Sequence, residues 1–125
     1  MQPNKVFHIE WSGGTLVIIP QGPTLNFHYQ DVHHEANALY RMADDPKVQN
    51  IVVDLNVVDY LDSIIIGAMI RLFQKPKNRG GMAVFCCGRP ELLEVLKCIR
   101  VGSMWPHFDT REEALDAVNV EQSHT

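Results

Sequence analysis

Two short runs, Asn50–Leu55 (Asn-Ile-Val-Val-Asp-Leu) and Met82–Cys87, are nearly unbroken apolar stretches, and they constrain the fold more than any other feature of the chain. A strand with one wet face alternates polar and apolar residues, whereas a strand that does not alternate must be covered on both faces. Asn50–Leu55 is therefore expected at the centre of a sheet, with Met82–Cys87 as a second buried strand. Between them the helical period runs from about Ser63 to Gln74 or Lys75, and Pro76 with Gly80-Gly81 is expected to end it.

The flanks extend this pattern. Lys5 to Trp11 alternates, and Thr15 to Pro20 is a β-branched run across Ser12-Gly13-Gly14, which reads as a hairpin. Val32, Ala36, Leu39 and Ala43 recur at helical spacing from Asp31 until Asp44-Asp45-Pro46 stops them. Pro90 suits the first position of a third helix with an apolar stripe of Leu92, Val95, Leu96 and Ile99, closed by Gly102. A short extended piece at Met104–Phe108 precedes a last helix, opened by a Thr110–Glu113 capping box and burying Ala114, Leu115 and Val118. The order defines an α/β layered fold, a mixed sheet of about four to five strands with about four helices joined by right-handed crossovers. Residues 1–125 are expected to form a single domain with its core in about 5–119 and a frayed tail at 120–125.

Composition narrows the function. Eleven Lys and Arg against 15 Asp and Glu leave a net charge of −4, which argues against a nucleic-acid partner held by phosphate contacts. No run approaches the roughly 18 apolar residues of a bilayer span, and Met1-Gln2-Pro3-Asn4 lacks a signal-peptide layout, so a cytoplasmic location without membrane insertion is expected. Cys86, Cys87 and Cys98 have no CxxC spacing, so no zinc site or disulfide framework is written in them. As strand neighbours, Cys86 and Cys87 should point to opposite faces as small core residues. His33-His34 beside Asp31 and Glu35 lacks HExxH spacing and reads as a solvated helix face. Ser63 has no GxSxG context, and the glycine pairs 13-14 and 80-81 fit no nucleotide loop. No catalytic residue, metal or cofactor is assigned, and the chain is read as a non-enzyme.

The informative segment is Asp59-Tyr60-Leu61-Asp62-Ser63-Ile64-Ile65-Ile66-Gly67. It brings a strand into a helix start with Asp62 and Ser63 at the cap, where free N–H groups and the dipole favour an anion such as a phosphorylated hydroxyl. The alternative is that Asp62 or Ser63 simply caps the helix. On a helical wheel Ser63, Gly67, Arg71, Gln74 and Lys75 share one polar sector, with Ile65, Ile66, Ala68, Met69, Leu72 and Phe73 opposite and Ile70 at the edge. Ile64 falls inside the polar sector. It reads either as an incidental exposed apolar residue or as a partner contact. In the second case Ile64→Asp should weaken partner binding and leave the fold intact.

These residues resemble the anti-sigma-factor antagonist family, the STAS domain, from about Val6 to Val118. The likeness lies in Ile51-Val52-Val53-Asp54-Leu55, then Tyr60-Leu61-Asp62-Ser63 and Gly67; in Gly80-Gly81-Met82-Ala83-Val84-Phe85; and in Val95-Leu96 through Val101-Gly102 and Trp105-Pro106-His107-Phe108 to Glu112-Glu113-Ala114-Leu115. The resemblance implies a switch protein that binds an anti-sigma factor, often a serine kinase, and is released by phosphorylation in an Asp-Ser-Ser/Thr-Gly turn. Here Asp62 and Ser63 keep the first two positions, while the usual phosphoacceptor falls on Ile64 and the glycine on Ile65. Gly22-Pro23-Thr24-Leu25 replaces the family's Gly-Glu-Leu/Ile-Asp, with Asn26 the nearest polar group. The expected docking region is thus Asp62, Ser63, Ile64, Gly67 and Arg71, with Ser63 the candidate phosphoacceptor. The alternative role is an accessory subunit of a membrane transport ATPase or a signalling-scaffold component. Phe7, Trp11 and Ile64 are the apolar residues that could support self-association.

Overall fold

The computed structural model describes residues 6–21, 29–58, 63–78, 80–98 and 105–123. In chain order these form β1 (Phe7–Ser12), β2 (Thr15–Pro20), α1 (Tyr29–Ala43), β3 (Asn50–Asp54), α2 (Ser63–Lys77), β4 (Ala83–Cys86), α3 (Pro90–Cys98), β5 (His107–Phe108) and α4 (Arg111–Ser123). The sheet runs β1-β2-β3-β4-β5, antiparallel at the first pair and parallel at the other three. It is the expected α/β layered fold with a mixed sheet.

β3 is central and buried at all its positions, as its unalternating sequence requires. One face, carrying Phe7, Leu16, Ile18, Ile51, Val53 and Phe85, packs against α1, α2 and α3. The other, carrying Val17, Ile19, Val52, Val84 and Cys86, packs against Ala114 and Val118 of α4. On the first face Phe73 of α2 packs against Phe85 with ring centres 4.8 Å apart and planes tilted by 51°, and meets Trp105 edge-on at 5.1 Å, an arrangement that suits the ring quadrupoles.

The local chemistry accounts for the turns. Ser12 pairs with Thr15, so Gly13-Gly14 is a two-residue loop, and the left-handed φ of 59° at Gly13 matches a II′ hairpin, which needs glycine there. Gly81 is required for a different reason: a Cβ on it would stand 1.7 Å from the Gln49 carbonyl oxygen. Only a bare backbone lets the entry to β4 lie against the entry to β3. At the other end of the chain the capping box forms, with Thr110 Oγ1 accepting from the Glu113 N–H at 3.1 Å and donating to Glu113 Oε1 at 3.1 Å.

Several expectations shift. α1 begins at Tyr29 rather than Asp31, and α4 runs on to Ser123. α2 continues through Pro76 to Lys77, because a proline so near the end forfeits one helical bond, and its carbonyl is taken by the Gly81 N–H at 2.7 Å. In α3 Leu92 and Leu96 are buried with Leu93 half-buried, which turns Val95 out to solvent. Glu35 is not on a solvated face: its carboxylate accepts from the Val6 and Phe7 N–H groups at 3.1 Å each, tying α1 to β1. Phe7 is fully buried and cannot support self-association, whereas Trp11, 54% exposed on edge strand β1, remains outside the core. The connections at Gly22–Asn26 and Asp59–Asp62, together with Ile99, Gly102 and Met104, lie outside the described residues. No helix among the described residues is long and apolar enough to cross a membrane.

Two glycine substitutions should move stability in opposite directions in urea denaturation. Gly81→Ala is expected to lose about 1–3 kcal/mol through the clash with Gln49. Gly67→Ala, where a Cβ meets nothing within 4 Å on an exposed helix surface, should gain about 0.5–1 kcal/mol from helix propensity.

Candidate functional site

α2 leaves the carboxyl end of the central strand and begins at Ser63, which is exposed, as are Gly67, Arg71 and Gln74 further along the helix. The opposite side is buried through Ile65, Ala68, Met69, Leu72 and Phe73. Four members of the expected polar sector are thus exposed, while the fifth, Lys75, is half-buried. Gly67 makes a bare notch one turn beyond Ser63, and Asp62 lies outside the described residues. Val57, which the sequence reading did not single out, is exposed in the link that follows β3. It sits at the same end of the sheet as the start of α2.

Ile64 departs from expectation. It is half-buried and packed against the main core, not an exposed residue in a polar sector. On the wheel Ile64 lies between Arg71 and Lys75, and both of those reach α1: the Arg71 guanidinium sits 4.1 Å from the Tyr40 ring centre, and Lys75 Nζ pairs with Asp44 Oδ1 at 2.7 Å. That side of α2 therefore faces a neighbouring helix. A wheel drawn for one helix cannot include the helix beside it. Ile64→Asp would place a charge against the core, so this substitution does not leave the fold untouched.

A second polar assembly, absent from the sequence reading, lies on the α4 face. Arg111, the first residue of α4, donates Nε to Asp54 Oδ2 at 2.8 Å and Nη1 to Glu10 Oε1 at 2.7 Å. It bridges β3 to β1 across β2. Asp54 Oδ1 also accepts the Asn56 N–H at 2.9 Å. Burial works against the Arg111 charge, but the hydrogen bonds and charges of Asp54 and Glu10 outweigh it and raise its pKa. The thiols beside Asp54 move upward as well, Cys86 and Cys87 both chiefly through burial. Burial lowers His107, whose Nε2 accepts the Gly88 N–H at 3.0 Å and joins the end of β4 to β5.

A family model for the STAS domain matches residues 8–114, and the chain belongs to the STAS domain family. No curated protein matches it. Among solved structures it is similar to a putative anti-sigma factor antagonist from Thermotoga maritima, with a TM-score of 0.77 and 16% identity over 93% of this chain and 97% of that one. The anti-sigma factor antagonist SpoIIAA in its unphosphorylated form matches with a TM-score of 0.69 and 19% identity over 90% of this chain and 97% of that one. The STAS domain of a SulP transporter from Vibrio cholerae matches with a TM-score of 0.69 and 17% identity over 87% and 84% of the two chains. At these identities the likeness to the solved structures is one of fold.

Two measurements follow from the α4 face and its neighbour. Arg111→Ala strands the Asp54 carboxylate, whose side chain is 5% exposed; with the guanidinium itself 33% exposed, the expected loss is about 1–3 kcal/mol by chemical denaturation, less than a wholly buried pair would show. His107 has a folded pKa below its ordinary 6.5, so its contribution is complete above pH 6.5 and is lost as pH falls toward the folded value. His107→Gln, which keeps an acceptor for Gly88 but does not titrate, should flatten the decline in stability below pH 6.5.

Proposed function

We propose that this chain is a non-enzymatic protein-interaction regulator of the anti-sigma-factor antagonist type, acting in the cytoplasm and docking an anti-sigma factor or related serine kinase through the start of α2. The observation that supports this most is the exposed stripe of Ser63, Gly67, Arg71 and Gln74 on the helix that follows the central strand, which begins at Ser63, the second residue of the segment that resembles the family's Asp-Ser-Ser/Thr-Gly turn. The notch at Gly67 allows a partner side chain to approach the helix backbone, and exposed Val57 adds apolar contact area at the same end of the sheet. Docking involves Asp62, Ser63, Gly67 and Arg71, with Ile64 supporting the surface from beneath.

Regulation differs from the family's usual switch because an isoleucine cannot accept phosphate. Ser63 is the nearest hydroxyl, exposed at a helix N-terminus where an added phosphate would meet free N–H groups and the positive end of the dipole. SpoIIAA, itself solved in a phosphorylated form, provides the precedent for modification on this fold. The second reading, an accessory subunit of a membrane transport ATPase or a signalling-scaffold component, draws its support from the isoleucine at position 64, since such a role requires no phosphoacceptor; the match to the STAS domain of a SulP transporter shows only that the fold also occurs in a transport protein.

Binding to a candidate anti-sigma kinase, measured by calorimetry, separates these readings. Gly67→Arg fills the notch without touching the core and is expected to weaken the complex at least tenfold, with a melting temperature no lower than that of the parent, since arginine is the better helix former. Phosphate on Ser63 after incubation with that kinase and ATP, seen by intact mass and absent from Ser63→Ala, would establish the switch. Undiminished binding by Gly67→Arg would move docking away from α2.

A further inference from the structure

Cys86 closes β4 with its side chain on the α4 face, and the next residue would ordinarily point the other way. It does not. Cys87 has a φ of 62°, the one non-glycine residue with positive φ among those described, and this left-handed step returns its side chain to the same face, where it packs against the cluster containing Cys86. Asp54 is the register partner of Cys86 on β3. The result is that the two thiol sulfurs and a carboxylate oxygen of Asp54 all lie within 4.8 Å of one another.

We propose that Asp54, Cys86 and Cys87 form a binding site for a soft divalent cation of the zinc and cadmium class. Around a tetrahedral ion with bonds of about 2.3 Å to sulfur and 2.0–2.2 Å to oxygen the donors stand roughly 3.5–3.8 Å apart, so adjustment of about an ångström brings these three into place. The carboxylate has capacity for the ion. Two of its roughly four lone-pair positions are used, by Arg111 and the Asn56 N–H, and those same bonds hold it in orientation. Charge is balanced too, since two thiolates and a carboxylate against a divalent ion leave one negative charge beside the Arg111 guanidinium. Binding is a proton-for-metal exchange with no redox step: each S–H bond gives its proton to solvent as an S–metal bond forms. Cys86 is buried, whereas Cys87 is half-exposed, which gives the ion a route in and leaves the fourth position for water or an external ligand.

The test uses the reduced full-length chain carrying Cys98→Ser, so that the third thiol does not contribute, titrated with cadmium chloride and followed by the ultraviolet thiolate-to-cadmium charge-transfer band. One saturating equivalent is expected, displaced by zinc and accompanied by a rise in melting temperature. Cys87→Ser should abolish the band. Cys87→Gly serves as the second variant, since glycine relaxes the left-handed backbone and so preserves folding while deleting the thiol; it should melt no lower than its parent and bind no cadmium. Asp54→Asn, which keeps the size and shape of the side chain but turns one of its two accepting oxygens into a donor, should weaken binding at least tenfold. Absence of a saturable band, a band that survives in either Cys87 variant, or unchanged affinity in Asp54→Asn would overturn the three-donor site.

Discussion

Every residue of β3 is withdrawn from water, and its two polar members, Asn50 and Asp54, stand at its ends. A buried polar side chain is tolerated only when its hydrogen bonds are made, so each end of the strand dictates what surrounds it. At the entry, Asn50 Oδ1 accepts the Met82 N–H at 2.9 Å and Nδ2 reaches Thr15 Oγ1 at 3.5 Å, which fixes β2, β3 and β4 in one register. At the exit, Asp54 takes Arg111 and thereby anchors α4 across the sheet. Burial from both faces demands helices on both sides, and these two residues determine where the strands and the last helix attach.

The surface proposed for docking inherits its position from this strand. α2 starts at the exit end of β3, and its buried stripe is held by the Phe73, Phe85 and Trp105 aromatic contacts. Cross-links to α1 through Tyr40–Arg71 and Asp44–Lys75 set its rotation. With that rotation fixed, Ser63, Gly67 and Gln74 are exposed and Ile64 packs against the main core. Ile64 is thus accommodated by packing, which leaves it half-buried rather than standing free in a polar sector.

Much of this was legible from residues whose environment depends only on near neighbours in the chain. The unalternating Asn50–Leu55 run, the Thr110–Glu113 box and the polar stripe of α2 each encode their own outcome through periodicity or local hydrogen bonding. What escaped depends on elements distant in sequence. The rotation of Ile64 is decided by α1, the carboxylate of Glu35 is claimed by the backbone of β1 nearly thirty residues earlier, and Arg111 finds Asp54 and Glu10 only after three strands have paired. Cys87 belongs with these: alternation is a property of extended backbone, and one left-handed φ is enough to reverse it.

That reversal also separates two kinds of chemistry by the thickness of the sheet. The exposed stripe of α2 lies on the side of α1, α2 and α3, while Asp54, Cys86, Cys87 and Arg111 lie on the side of α4. A change at Cys87 leaves the packing of α2 unaltered, and a change at Gly67 meets no atom of the sheet. Asp54 is the exception, because it ends the strand that leads to α2 and at the same time holds α4. Its carboxylate binds Arg111 and the Asn56 N–H, so the proposed thiol–carboxylate site and the start of α2 both take their position from the end of β3, while their own contact residues lie on opposite sides of the sheet.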